Sequence, residues 1–139
     1  MIIDGVKVTE RGWPGHFICA HECLFRRNTL IEYKDKKWVI STVGAMRTLD
    51  GKLDTIGYKR FFETMAFEAI DQDQYLDADV TKEIRFDSEW GLFAESWDKL
   101  IAEHPLVDKD ANDMHEKVVS ELIAKIRKPS KNEEVSSND

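Results

Sequence analysis

Along the first 86 residues apolar and polar positions tend to alternate, and after that apolar residues recur every three or four positions, so strands are expected first and helices last. Gly15–Leu24 alternates in part, with Phe17, Cys19, His21 and Cys23 on one face. Thr29–Tyr33 and Lys37–Val43 are β-prone runs joined by the polar turn Lys34-Asp35-Lys36, which predicts a hairpin. Gly44–Lys59 holds three glycines and weak periodicity and reads as a long loop. Arg60–Ala69 and Tyr75–Phe86 form a second expected pair around Asp71-Gln72-Asp73-Gln74. In the last run Leu76, Ala78, Val80, Lys82 and Ile84 are expected on the core face.

Asp87 or Ser88 can cap a helix carrying Trp90, Phe93, Trp97, Leu100 and Ile101, which ends at His104-Pro105 because the residue before proline disfavours the α region. A second helix is expected over Asp110–Arg127, with Met114, Val118, Leu122 and Ile126 four apart and Lys125, Arg127 and Lys128 at its negative end. Strands followed by helices predict an α+β fold, an antiparallel β-sheet followed by a C-terminal pair of α-helices. Residues 1–128 are expected to form a single domain, and 129–139, polar and aperiodic, a disordered tail.

At 139 residues and 42% hydrophobic, the chain has ordinary globular composition. No apolar run is long enough for a membrane span, and the N-terminus lacks the basic and apolar regions of a signal peptide. A cytoplasmic location with Cys19 and Cys23 reduced is therefore expected. The net charge of −7 hides an asymmetry: residues 1–60 carry eleven basic and seven acidic groups, residues 61–139 nine and twenty. Coating a long nucleic acid calls for a wide basic surface, so no long nucleic acid is expected as partner. The distribution suits a few cations in a confined place.

Most familiar chemistries find no support. In His16-x-x-Cys19-x-His21-x-Cys23, same-face side chains on a strand stand about 6.5 Å apart, too spread for a tetrahedral zinc with bonds of about 2.0–2.3 Å. No metal and no cofactor is expected. No nucleophile elbow surrounds Ser41, Thr42 or a cysteine, and no glycine-rich phosphate loop is present. Glu63, Asp77 and Asp79 could supply a carboxylate pair, but read better as a solvated strand face. The chain is expected not to be an enzyme.

Arg26-Arg27-Asn28 is more specific. Guanidinium forks match phosphate oxygens bidentately, and neighbouring Phe25, Arg47, Arg60, Phe61, Phe62 and Phe67 add cations and π-faces of the kind a nucleotide needs. Adjacent residues of an extended segment point to opposite faces, so only one of the two arginines can face a given pocket. Arg27, on the side of Phe25 and Thr29, is the expected principal contact.

Gly15-His-Phe-Ile-Cys19, Phe25-Arg-Arg-Asn-Thr-Leu30, Ser41-Thr-Val-Gly44, Glu63-Thr-Met65 and Asp77-Ala-Asp79-Val, in that order, resemble a family of small phage proteins, the Thoeris anti-defence sponges of type one. The resemblance covers about residues 15–86 by motif and the helices by architecture alone. It implies a non-catalytic sponge that sequesters a cyclic ADP-ribose isomer used as a bacterial immune signal. It further implies a homodimer in which the sheet of one chain and the helices of the other enclose the ligand, or a higher homo-oligomer that also takes cyclic oligonucleotides. The family's binding arginines and aromatic platform match Arg26, Arg27 and Phe67, and its polar residue beyond the aromatic has Asp77 as nearest counterpart. The family also uses an arginine from its helices, whereas this chain has none between Arg85 and Arg127. With Asn28 and Arg47 from the residue pattern, the expected ligand site is Arg26, Arg27, Asn28, Arg47, Phe67 and Asp77. The alternatives are an acidic inhibitor acting by protein–protein contact or nucleic-acid mimicry, through Asp73, Asp87 and Glu89, or a small phosphodiesterase using Glu63 and Asp79.

Overall fold

The computed structural model describes residues 1–12, 20–72, 75–86 and 90–128. It has an antiparallel sheet followed by two C-terminal helices, the expected α+β arrangement. The strands are β1 (Ile2–Ile3), β2 (Val6–Glu10), β3 (Cys23–Tyr33), β4 (Lys36–Arg47), β5 (Leu53–Asp54), β6 (Arg60–Gln72), β7 (Tyr75–Ile84) and β8 (Gly91–Phe93). The sheet order is β1-β2-β3-β4-β6-β7, with β5 on β4 and β8 on β6. Helices α1 (Trp97–Glu103) and α2 (Val107–Arg127) follow.

Local chemistry accounts for the turns. Asp4 and Gly5 both adopt positive φ, at 52° and 81°, the geometry of a two-residue hairpin turn between β1 and β2. β3 and β4 pair in a single register from Cys23↔Met46 to Tyr33↔Lys36, interrupted at Leu24 and Ala45 and closed by Lys34-Asp35. β4 runs on through Ala45, at φ 55°, to Arg47, so the expected loop at 44–59 begins later than its glycines suggest. Beyond Ala45, Met46 pairs with Cys23 on one side and Asp54 on the other, and Arg47 with Leu53, which carries the ladder to the end of β4.

Three other expectations are corrected. The strand expected over Gly15–Leu24 is a 3-10 turn at Ala20–Glu22, and β3 starts only at Cys23; residues 13–19 lie outside the described set. Trp90 and Phe93 are not helical: Gly91–Phe93 pairs with the free edge of β6, and α1 starts at Trp97, where the Ser96 hydroxyl accepts the Lys99 N–H at 3.2 Å. β7 does not alternate throughout. Its register on β6 passes from Phe67↔Glu83 to Ala69↔Ala78, so Asp79–Lys82 bulges outward and Val80 is exposed, while among the described side chains of the expected core face only Ile84 joins the main cluster. The Asp79 carboxylate takes the Thr81 backbone N–H and hydroxyl, which blunts the sheet edge and holds this carboxyl below its ordinary range.

α2 lies across the sheet and divides its contacts into three zones. Its C-terminal half packs Val118, Val119, Leu122 and Ile123 on Val6, Ile31, Trp38, Ile40 and Ala66. Its first turns, with Ala111 and Met114, join α1 through Leu100 and Trp97 over Phe25, Phe61 and Phe62. Between the two clusters the helix presents His115. On the opposite face of the sheet Val43 packs with Cys23, Met46 and Ile56.

Gly44 pairs with both Phe25 and Phe62, and a Cβ there would run into the Phe62 ring and stand 2.6 Å from the Phe61 carbonyl oxygen. Gly44→Ala should therefore destabilise the fold by about 2–3 kcal/mol, as overpacking of a closed core does, measured by denaturant unfolding against the wild type.

Candidate functional site

β3 sends its arginines to opposite faces, as alternation requires. Arg27 pairs with Thr42 across the ladder and faces α2. Its guanidinium donates to Glu10 at 3.1 and 3.2 Å and forms a second close ion pair with Glu116 of α2. The Arg27 side chain is 23% exposed, against 44% and 58% for its partners, so this bridge is largely shielded from solvent on one side only. Burial pulls the Arg27 pKa down, but bonds to Glu116 and Glu10 outweigh it and the net shift is upward. Arg27 therefore fastens β3 to β2 and α2.

Beneath that bridge runs a buried chain of side chains. Thr29 Oγ1 donates to Glu10 Oε2 at 2.9 Å and lies 2.7 Å from His115 Nε2. Thr42 Oγ1 is 2.7 Å from His115 Nδ1 and 2.5 Å from Thr64 Oγ1. His115, Thr42, Thr29 and Thr64 are all essentially inaccessible. Burial, and secondly the Arg27 charge, push the His115 pKa from 6.5 down to about 3, so the ring is neutral at ordinary pH.

The direction of every bond then follows. The Glu10 carboxylate only accepts, so the Thr29 hydroxyl spends its one proton there and must accept from His115 Nε2–H. A neutral ring protonated at Nε2 accepts at Nδ1, so Thr42 donates to it and accepts from Thr64 in turn. The sequence reading missed this chain. Its signal was available in retrospect: Thr29, Thr42 and Thr64 occupy core-facing strand positions, and His115 falls on the stripe of Ala111, Val118, Val119 and Leu122.

The remaining expected site residues separate. Arg26 pairs with Val43 on the other face and lines a groove of about 510 Å3 together with Arg47, His21, Glu22 and the exposed Leu24 and Leu49. Arg47 is exposed and forms no ion pair with any described residue. Asn28 is buried within β3 opposite Ser41, and Phe67 is buried in β6 opposite Val39. Asp77 lies in β7 opposite Ile70, and its side chain is outside the described residues. The six residues thus do not converge: Arg26 and Arg47 share a groove, Arg27 is on the helix side, and Asn28 and Phe67 are interior.

Other candidates are dispersed too. His16, Cys19, Asp73, Asp87 and Glu89 lie outside the described residues, His21 is exposed and Cys23 is buried with Val43. Glu63 is paired with Arg60 at 3.2 Å, while Asp79 is in the edge bulge. No group of three or more metal-ligating side chains occurs among the described residues, and no helix there is long and apolar enough to cross a membrane. Comparison with protein-family models, curated proteins and solved structures finds no match to this chain.

The depressed His115 pKa makes a signed prediction. Between pH 6.5 and about 3 the unfolded chain binds a proton at His115 that the folded chain does not. Stability should therefore fall as pH falls through that window, by up to about 1.4 kcal/mol per pH unit from this residue. Urea unfolding from pH 7 to 4 measures it, and His115→Gln should remove this component of the slope.

Proposed function

We propose that this chain is a non-catalytic binding protein that sequesters a small phosphorylated nucleotide, with the Arg26/Arg47 groove as its anion anchor. The observation that carries the reading is the convergence in one groove of two arginines 21 positions apart in sequence, flanked by His21, in a chain of net charge −7. A groove of about 510 Å3 matches the size of small-ligand sites. Two guanidinium groups suit the two phosphates of a cyclic ADP-ribose isomer, and the exposed side chains of Leu24 and Leu49 offer apolar cover to its base. The resemblance of residues 15–86 to the phage sponges supports this ligand class and a host-cytoplasmic role against bacterial immunity.

Sequestration works by affinity alone. It calls for nanomolar binding, about −12 kcal/mol, which an open groove contacting one side of a ligand would not supply. The proposal therefore includes a homodimer or higher homo-oligomer in which a second copy covers the ligand. Arg27 has a different part in this reading. It braces the sheet and helix behind the site and does not touch the ligand.

Calorimetric titration with a cyclic ADP-ribose isomer and a panel of cyclic dinucleotides tests the proposal. Arg26→Ala and Arg47→Ala should each weaken binding by about 30- to 1000-fold, the loss expected for a charge-assisted contact, and Arg47→Ala with little change in melting temperature. Arg27→Ala should do the reverse, lowering stability by about 1–2 kcal/mol through the uncompensated Glu10 and Glu116 while affinity holds. Ligand released by heat should be intact. A cleaved product would mean an enzyme, and no binding across the panel would sink the reading.

A further inference from the structure

A second cleft, of about 470 Å3, lies between β8, the end of α1 and the first turns of α2. Its floor is apolar, made of Leu92, Phe93 and Met114. The Phe93 ring is held in place from two sides. Gly91 lets it lie along the strand, since a Cβ there would stand 2.6 and 2.9 Å from ring carbons. Arg60 sits over the ring at 4.9 Å and is itself tied to Glu63 at 3.2 Å. The ring nonetheless keeps about a third of its surface exposed, so it forms an ordered aromatic wall.

The charges at the rim are unequal. Asp113 has a lysine one turn to each side and is taken by Lys109 at 2.6 Å. His104 Nδ1 is bonded to Asp110 Oδ2 at 2.8 Å. Lys117, four residues beyond Asp113, is exposed and forms no ion pair or hydrogen bond with any described residue. The cleft thus combines an apolar floor, an aromatic wall and one uncompensated ammonium at its mouth. We propose that it is a binding site for a small planar aromatic anion, whose ring lies on Phe93, Leu92 and Met114 and whose carboxylate or phosphate meets Lys117. This site is separate from the Arg26/Arg47 groove and does not rest on the function proposed for it.

The probes are naphthoate and its neutral isostere naphthalenemethanol, followed by amide NMR titration of the whole chain. Naphthoate should shift the amides of 91–93, 104 and 113–117. Lys117→Gln should weaken naphthoate about tenfold, a charge contact worth about 1.4 kcal/mol, and leave naphthalenemethanol unchanged. Phe93→Ala should weaken both, with unfolding curves confirming that the fold persists. Absence of shifts at millimolar probe would overturn the proposal, as would equal effects of Lys117→Gln on both probes. Shifts confined to 21–26 and 47–49 would also overturn it, while leaving the groove on the other face as a ligand site.

Discussion

A single buried imidazole holds this fold in one arrangement. His115 sits between Thr29 and Thr42, each 2.7 Å from a ring nitrogen, at the only point where α2 presents a polar side chain to the sheet among its buried residues. Hydrophobic contact alone tolerates sliding, because apolar surfaces are nondirectional. Hydrogen bonds to two named hydroxyls do not. Moving α2 by one turn, about 5.4 Å, would break both bonds to the buried imidazole and leave its two ring nitrogens without partners, at about 1–3 kcal/mol each. The chain from Thr64 to Glu10 thereby fixes the register between the two apolar clusters on either side of it.

Both candidate sites inherit their geometry from that register. The cleft at Phe93 exists because Met114 and Lys117, which flank His115 on α2, are held opposite β8. The Arg26 groove lies on the reverse face of the same strand that carries Arg27 and Thr29, away from the side that fastens the helix. Alternation along β3 thus sends the two adjacent arginines to different surroundings. The Arg27 bridge to Glu10 and Glu116 closes the outer end of the network, where the last acceptor would otherwise face water.

The class of fold was legible because it rests on periodicity: the β3–β4 hairpin and the long second helix follow from apolar spacing and a polar turn. The segment at 90–97 was not, because Trp90, Phe93 and Trp97 fit a helical spacing while the free edge of β6 offered Gly91–Phe93 a ladder that no local pattern reveals. Val80 was misplaced for a similar reason, since a bulge breaks the period-two rule without leaving a glycine as its mark. At the site, the opposite facing of Arg26 and Arg27 could be read from the strand, but the carboxylates that claim Arg27 come from positions 10 and 116 and are joined to it only by the fold. Arg26 and Arg47 line one groove because β4 extends beyond Gly44, which the glycine-rich sequence there does not reveal.

A neutral, Nε2-protonated His115 passes hydrogen bonds in one direction from Thr64 to Glu10. Nitrogen NMR of the imidazole tests it most directly. The expected result is a Nε2–H signal that resists exchange with solvent and a Nδ1 shift typical of an unprotonated ring nitrogen, both unchanged from pH 8 to pH 5. A ring that averages between tautomers, carries its proton on Nδ1, or titrates near its ordinary value of 6.5 would contradict it.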